Sequence, residues 1–273
     1  MSKIGELRLA LLELLREHEH DGALPTSSRF LFYELIQRGI LSKEKKGARR
    51  PDQDLHVALT QLREPDEVPW DWIVDETRSL DDYRGASTIH EWVLDVLPAA
   101  RLDPWDGDAP LILTESRSLA GVLRRLVREY AVQIAATNGQ CGGFLHTKIA
   151  PILSPDQRVL YLGDLDLSGG QIEDNTRHVL EREACDELAW ERLALTQKQV
   201  DEYDLPVIEK HDRRYNDGHP HEAVETEALS QTIIVEIVRS RLDQLLPEPL
   251  ETVLEHEARQ QAKIQRALRR LKV

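Results

Sequence analysis

The stretch VLYLGDLDLSGG at residues 159–170 is the most informative part of the sequence for the architecture of the second half of the chain. Four consecutive apolar or aromatic residues lead into Gly-Asp-Leu-Asp, and small residues then open the amphipathic segment GGQIEDNTRHVLEREA. A short apolar run that ends in Gly and Asp and continues into a helical period is typical of a buried strand followed by a helix. The sequence therefore predicts a strand-helix unit here, with Asp164 and Asp166 at the carboxyl end of the strand.

Similar units surround this stretch. LILTE at 111–115 predicts a strand followed by the helix SLAGVLRRLVREYA, and VQIAAT at 132–137 predicts a second strand followed by the helical GFLHTKIAPIL. WERLALT at 190–196 is a further possible strand, and two helices are expected from about Leu229 to the end. Strands that alternate with helices favour a parallel sheet covered on both faces, so the predicted fold class is α/β.

The first hundred residues have a different pattern. Leucines at helical spacing predict a helix that ends near Gly22, a second helix follows PTSS and stops at Gly39, and a third follows Pro51. Three short helices, a basic loop and the apolar VPWDWIVDETR fit a winged-helix-like module, although plain helical bundles read the same way. PWDGDAP at 104–110 is the expected boundary, which gives domains at 1–105 and 106–273.

Composition excludes several classes of protein. The chain has 273 residues, and none of its apolar runs approaches the roughly 18 to 20 residues that a membrane span needs. Its 2 cysteines lie far apart, which excludes a disulfide framework and a four-cysteine zinc site. We expect no membrane association and a cytoplasmic location, with nucleoid association left open.

Basic residues are concentrated although the net charge is −14. SKEKKGARR at 42–50 and KIQRALRRLK at 263–272 each contain five basic residues, with one acid in the first and none in the second. Solvated faces are the alternative explanation for such runs. If the first run contacts double-stranded DNA, the expected contact residues are Lys43, Lys45, Lys46, Arg49 and Arg50, together with Arg78.

Carboxylates follow two of the predicted strands. Glu115 ends the first and Asp164 and Asp166 follow the third, so the side chains are expected at one edge of the sheet. Three carboxylates in one place repel unless a hard cation neutralises them, and Mg²⁺ takes such oxygen ligands. The alternative is that the aspartates only cap the next helix. Glu225 or Glu227 could join the site, but solvated acids are the commoner explanation for that segment.

These residues carry a resemblance to a known family. LILTE followed by VLYLGDLDLSGG resembles the Toprim domain, a Rossmann-like, mostly parallel fold of topoisomerases, primases and some nucleases. The form GDLDLSGGQI is similar to the A subunit of topoisomerase VI and to the meiotic double-strand-break transesterases, in which a winged-helix domain precedes the Toprim domain. The resemblance implies that Glu115, Asp164 and Asp166 hold Mg²⁺ near a phosphate.

The same resemblance implies a tyrosine nucleophile. In that subfamily an Arg precedes the Tyr by four residues on one helix, and the matching residues here are Arg29 and Tyr33. An i, i+4 spacing places both side chains on one helical face, where the guanidinium of Arg29 can favour the phenolate form of Tyr33 and hold a phosphate. The alternative is a helix of ordinary core aromatic residues.

Three functions follow as hypotheses. The first is a DNA-cleaving transesterase in which Tyr33 attacks a backbone phosphate and Arg29 and Mg²⁺ offset the developing charge. The second is a metal-dependent Toprim nuclease without a covalent intermediate, and the third is a non-catalytic DNA-binding module. One tyrosine cuts one strand, so a homodimer is expected. The resemblance also implies that the tyrosine of one chain works with the metal of the other, and that a separate ATPase subunit acts beside them.

Overall fold

The computed structural model describes residues 3–43, 52–74, 82, 84–139, 141–184, 187–210 and 219–271. The helices are α1 (Lys3–His20), α2 (Ser28–Gln37), α3 (Gln53–Arg63), α4 (Ile89–Val96), α5 (Arg117–Glu129), α6 (Gly142–Phe144), α7 (Leu167–Ala184), α8 (Gln197–Glu202), α9 (Gln231–Leu245) and α10 (Leu250–Leu268). The strands are β1 (Leu111–Thr114), β2 (Gln133–Ala136), β3 (Arg158–Leu162), β4 (Ala189–Ala194), β5 (Ile208–Lys210) and β6 (His221–Ala223).

The first four strands form one parallel sheet in the order β2-β1-β3-β4. The predicted α/β class and the predicted strands, including the possible strand at 190–196, are therefore confirmed. The strands β1 and β3 are direct neighbours, with Thr114 opposite Leu162 at their carboxyl ends. The residues that follow these two strands must consequently lie close together.

Side chains of the sheet alternate between two cores. Ile112 and Leu160 point into the larger core, which also receives residues of α1, α2, α3, α5 and α9. Leu111 and Val159 point into a smaller core under α7. The central strands β1 and β3 are thus buried on both faces, which explains why LILT and VLYL are continuous apolar runs rather than alternations of apolar and polar residues.

The helices α1, α2 and α3 confirm the three N-terminal helices that the sequence predicts. The Ser27 hydroxyl accepts a hydrogen bond from the Phe30 amide and caps α2, as the PTSS segment indicated. After α3 the chain makes a short 3-10 turn at Trp70–Trp72, and Ile73 pairs with Thr26 in an isolated bridge. The winged-helix module stays a prediction, since 75–81 and 83 lie outside the described residues.

Two β-strands lie outside the main sheet. The strands β5 and β6 pair antiparallel, with Lys210 opposite His221. Leu165 and Val224 exchange two backbone hydrogen bonds, which fasten this ribbon to the turn between β3 and α7. The ribbon therefore brings residues near 210 and 225 to the carboxyl edge of the sheet.

In the described parts of the chain, none of the helices is both long enough and apolar enough to cross a membrane.

Two adjacent glycines at the start of α7 have opposite surroundings. A methyl group added to Gly169 would lie 2.3 Å from the backbone carbonyl oxygen of Asp164, whereas one added to Gly170 would meet nothing within 4 Å. Gly169 is therefore what allows α7 to approach the turn that carries Asp164 so closely.

We expect Gly169→Ala to lower the free energy of unfolding by roughly 1–3 kcal/mol, because the methyl group must push the Asp164 backbone away. Gly170→Ala is the matched control, and it should raise the free energy of unfolding by roughly 0.5–1 kcal/mol, as Ala does in a helix. Urea denaturation followed by circular dichroism measures both. Equal effects of the two substitutions would contradict the close approach at Gly169.

Candidate functional site

The structure brings the three predicted carboxylates to the carboxyl ends of β1 and β3. Glu115 directly follows β1, and its Oε2 accepts a hydrogen bond of 3.2 Å from the backbone amide of Asp164. Asp166 lies two residues further along the same turn, and its side chain is 10% exposed. The proximity that the strand order predicted for Glu115 and the aspartates is therefore present.

Asp166 has two different partners. Its Oδ1 accepts a hydrogen bond of 2.7 Å from the amide of Gly169 in the first turn of α7. The capping role that the sequence left open is thus confirmed for this oxygen. Its Oδ2 lies 2.8 Å from the ammonium of Lys210, so the second oxygen remains directed towards a cation.

Asp164 is fixed from two sides. Its Oδ1 accepts hydrogen bonds from the amide and the hydroxyl of Thr226, at 2.9 and 3.0 Å. The guanidinium of Arg192, on β4, donates to the carbonyl oxygens of Gly163 and Asp164 at 2.8 and 2.7 Å and also pairs with Glu173. Arg192 is a residue that the sequence analysis missed. It holds the backbone of the turn on which the aspartates lie.

Glu225 and Glu227 also belong to the site. Their side chains are 17% and 0% exposed, so the interpretation of these residues as solvated acids is wrong. Arg29 contacts both, with 2.9 Å between Nη2 and Glu225 Oε2 and 3.3 Å between Nε and Glu227 Oε1. Ser116 donates to Glu227 Oε1 at 2.6 Å. We call Glu115, Asp164, Asp166, Glu225 and Glu227 the carboxylate cluster.

Tyr33 lies beside the same glutamate. The residue is only 3% exposed, and its ring packs edge-on against Phe32 with 5.8 Å between the ring centroids. Its hydroxyl donates a hydrogen bond to Glu225 Oε2, and the ammonium of Lys43 donates to the hydroxyl. The ring of Tyr33 is thus a core aromatic, which agrees with the alternative interpretation of this helix. The hydroxyl, however, forms hydrogen bonds with residues of the site. The carboxylate that it contacts belongs to the same chain.

An open cleft lies in front of Tyr33. Its volume is about 990 Å³, and Arg29, Lys43 and Glu225 also line it. The ammonium of Lys43 lies 4.2 Å from the centroid of the Tyr33 ring and 3.5 Å from Glu225 Oε1. Lys43 is thus placed at the cleft. The other predicted DNA contacts, which are Lys45, Lys46, Arg49, Arg50 and Arg78, lie outside the described residues.

Burial and charge shift several pKa values in the site. Burial and, after it, the neighbouring Asp164 raise the pKa of Glu115 to about 7. Burial likewise raises the pKa of Glu227. Burial also acts to raise the pKa of Glu225, but the Tyr33 hydrogen bond and Arg29 outweigh it and lower that pKa to about 2. Negative charge therefore remains incompletely compensated around Glu115 and Glu227.

The basic groups and the phenol respond to the same environment. Burial opposes the charge of Arg29, but Glu227 and Glu225 outweigh burial and raise its pKa. Burial lowers the pKa of Lys43. Burial and the carboxylate of Glu225 raise the pKa of Tyr33, so the resting site holds a neutral phenol.

The donor set suits a hard divalent cation. Carboxylate oxygens are the ligands that Mg²⁺ prefers, and Glu227 Oε2 is a buried oxygen without a hydrogen-bond partner among the described residues. Among the described residues, Arg29, Lys43 and Lys210 form ion pairs with Asp166, Glu225 and Glu227. Within the described ranges, however, no group of three or more His, Cys, Asp and Glu side chains is arranged so that it could hold a metal ion as it stands. The chemistry of the carboxylate oxygens thus suits Mg²⁺, whereas the arrangement of the described residues is not itself a coordination site.

Comparisons with known proteins add no family to this description. No family model, no curated protein and no solved structure matches the chain.

We expect the stability of the metal-free protein to depend on the protonation of Glu115. Because its pKa is about 7 in the folded state against the usual 4.5, the folded state binds this proton more tightly than the unfolded state. The stabilisation is complete below pH 4.5 and is lost as the pH rises towards 7. Glu115→Gln keeps an oxygen for the Asp164 amide and should remove this loss, which is roughly 1 kcal/mol after allowance for partial solvent exposure.

Urea denaturation in the presence of a chelator, repeated across this pH range, measures the effect. Glu202→Gln is the control, because Glu202 is exposed on α8. The control should follow the wild-type pH dependence. If Glu115→Gln follows it as well, Glu115 is ionised throughout the range and the assignment of its pKa is wrong.

Proposed function

We propose that this chain is a Mg²⁺-dependent enzyme that binds double-stranded DNA and cleaves its phosphodiester bonds. The observation that carries the proposal is the carboxylate cluster, which lies at the edge of a parallel sheet and beside a cleft that contains Arg29 and Lys43. Cleavage of a phosphodiester requires positive charge against the phosphate oxygens and carboxylates that position a metal ion. The resemblance to Toprim proteins supports the same chemistry.

Each group has a distinct part in this proposal. Glu115, Asp164 and Asp166 would hold the metal ion, as the resemblance implies. A bound Mg²⁺ would supply electrophilic stabilisation of the phosphate. Arg29 can bind a phosphate oxygen from the cleft, in place of part of its contact with Glu225. Burial lowers the pKa of Lys43. Its ammonium is therefore a better proton donor to the leaving-group oxygen of the cleaved phosphodiester.

Two routes of cleavage are open to such a site. Hydrolysis uses water as the nucleophile, and the buried, neutral phenol of Tyr33 favours this route, since it leaves the tyrosine out of the reaction. Transesterification uses Tyr33 itself. The hydrogen bond from its hydroxyl to Glu225 favours this second candidate, because the carboxylate is in place to accept the phenolic proton.

The proposal extends to partners. Double-stranded cleavage by one tyrosine per chain requires two chains, so we propose a homodimer on DNA. An ATPase subunit belongs to the proposal only if the chain passes one duplex through another, as the A subunits of topoisomerase VI do. The basic residues at 42–50 support DNA binding by the module that contains Lys43.

The first test is cleavage of supercoiled plasmid in the presence of Mg²⁺. We expect nicked or linear product with the wild-type protein and a loss of roughly a hundredfold or more in rate with Asp164→Asn, since a neutral amide is a poor ligand for the ion. Asp174→Asn is the matched control, because Asp174 is exposed on α7 and is remote from the strand ends. A chelator should abolish cleavage. Retention of full activity by Asp164→Asn would contradict the metal site.

The second test separates the two routes. If Tyr33 is the nucleophile, cleaved DNA carries covalently attached protein, enters the gel only after protease digestion, and is not formed by Tyr33→Phe. If hydrolysis operates, the product is protein-free and Tyr33→Phe retains activity. The substitution removes only the hydroxyl and keeps the ring in its contact with Phe32. Circular dichroism and thermal unfolding of the variant confirm that the fold is kept.

A further inference from the structure

Lys210 places an ammonium group between two members of the carboxylate cluster. It is the last residue of β5, and its Nζ lies 2.8 Å from Asp166 Oδ2 and 3.6 Å from Glu225 Oε1. The two carboxylates come from different parts of the fold, since Asp166 precedes α7 and Glu225 follows β6. The ammonium therefore links these two parts of the fold. A metal ion at the same point would link the same two carboxylates.

The two ends of this contact differ in accessibility. The side chains of Asp166 and Glu225 are 10% and 17% exposed, whereas that of Lys210 is 39% exposed. Lys210 reaches the carboxylates from the solvent side on a flexible four-carbon stem. Among the contacts of the described residues, its departure would require the loss of these two ion pairs.

A second observation indicates that the cluster has a place for more positive charge. Glu227 is completely buried, and its Oε2 has no hydrogen-bond partner among the residues that the structure describes. Glu227 lies close enough to Asp164 for the two carboxylates to repel each other. Buried oxygens without a partner are costly, and a cation that enters the cluster would reduce this cost.

We propose that Lys210 is a tethered cation that competes with a divalent metal ion for Asp166 and Glu225. Glu225 is then part of the cation site together with Asp166, and the ligand is a hard divalent ion. In the metal-free protein the ammonium neutralises both carboxylates. When the ion binds, Lys210 withdraws towards solvent. This inference rests on the metal site of the proposed function and adds Glu225 and Lys210 to it.

The position of Lys210 on the ribbon explains how it can act this way. The Leu165–Val224 bridge anchors the ribbon to the turn that contains Asp166, so the backbone of the ribbon stays in place when the side chain moves. Lys43 differs from Lys210, because its ammonium also contacts the Tyr33 hydroxyl and ring. Lys210 is consequently the cation that the site can release at lower cost.

Binding of Mn²⁺ to the full chain tests the proposal without an activity assay. The electron paramagnetic resonance signal of free Mn²⁺ gives the affinity of wild type, Lys210→Met, Lys210→Arg and Lys198→Met. Removal of a competing positive charge should tighten Mn²⁺ binding by about fivefold or more in Lys210→Met. Lys210→Arg keeps the charge and should return the affinity to that of wild type. Lys198→Met is the control for net charge, because Lys198 is exposed on α8.

Thermal unfolding provides a second readout. Without metal, Lys210→Met leaves Asp166 and Glu225 without this cation and should unfold at a lower temperature than wild type. Saturating Mn²⁺ should raise its unfolding temperature by more than it raises that of wild type. The same shift in Lys198→Met would mean that net charge alone is responsible, and this would overturn the proposal.

Asp164→Asn separates failure of this inference from failure of the proposed function. If Asp164→Asn weakens Mn²⁺ binding and Lys210→Met leaves it unchanged or weaker, the metal site stands and Lys210 is a permanent ion-pair partner. If Mn²⁺ binds none of the proteins, or binds Asp164→Asn as tightly as wild type, the metal site itself fails, and the inference fails with it.

Discussion

Negative charge gathered at the carboxyl edge of the parallel sheet is the constraint on which the arrangement of the chain depends. Glu115 and the two aspartates reach this edge because β1 and β3 are neighbours, and the segment after β6 adds two glutamates. A buried carboxylate without a partner costs several kcal/mol, so compensating cations must come from other parts of the fold. Arg29 comes from α2 and Lys210 from β5. The electrostatics of the edge thus tie the N-terminal helices and the ribbon to the sheet.

The apolar core supports the same connection. Residues of α1, α2 and α3 share one buried cluster with the inner face of the sheet and with α9. Arg29 and Tyr33 are held at the edge by this packing as well as by their ion pair and hydrogen bond. On the other side of Asp164, the Arg192 guanidinium donates to its backbone carbonyl oxygen and the Thr226 hydroxyl donates to its carboxylate. These two residues fix the turn on which Asp164 lies. The carboxylates are therefore positioned by the protein itself, and much of their geometry does not depend on an ion.

The sequence predicted the parts of this structure that depend on local periodicity. Apolar runs and helical spacing located the sheet strands and the helices, and the i, i+4 relation brought Arg29 and Tyr33 to the same carboxylate. The order of the strands also predicted that Glu115 lies near the aspartates, but prediction failed for the other contacts between distant segments. Arg29 and Glu225 are 196 residues apart, and Lys210 is 44 residues from Asp166. Neither contact leaves a local pattern, which is why Glu225 was interpreted as solvated and Lys210 was not considered.

The hydrogen bonds of the aspartates limit how they can coordinate an ion. One carboxylate oxygen of Asp166 accepts a hydrogen bond from the first turn of α7, and one carboxylate oxygen of Asp164 accepts two hydrogen bonds from Thr226. Each aspartate has one oxygen outside these hydrogen bonds, so chelation of an ion through both oxygens of one carboxylate would compete with them. Ca²⁺ commonly takes carboxylates in that two-oxygen mode, whereas Mg²⁺ is satisfied with one oxygen per carboxylate and keeps several water molecules in an octahedral shell. At the proposed metal site, the helix cap and the threonine would therefore favour Mg²⁺ over Ca²⁺ through the mode of coordination, before the size of any cavity matters.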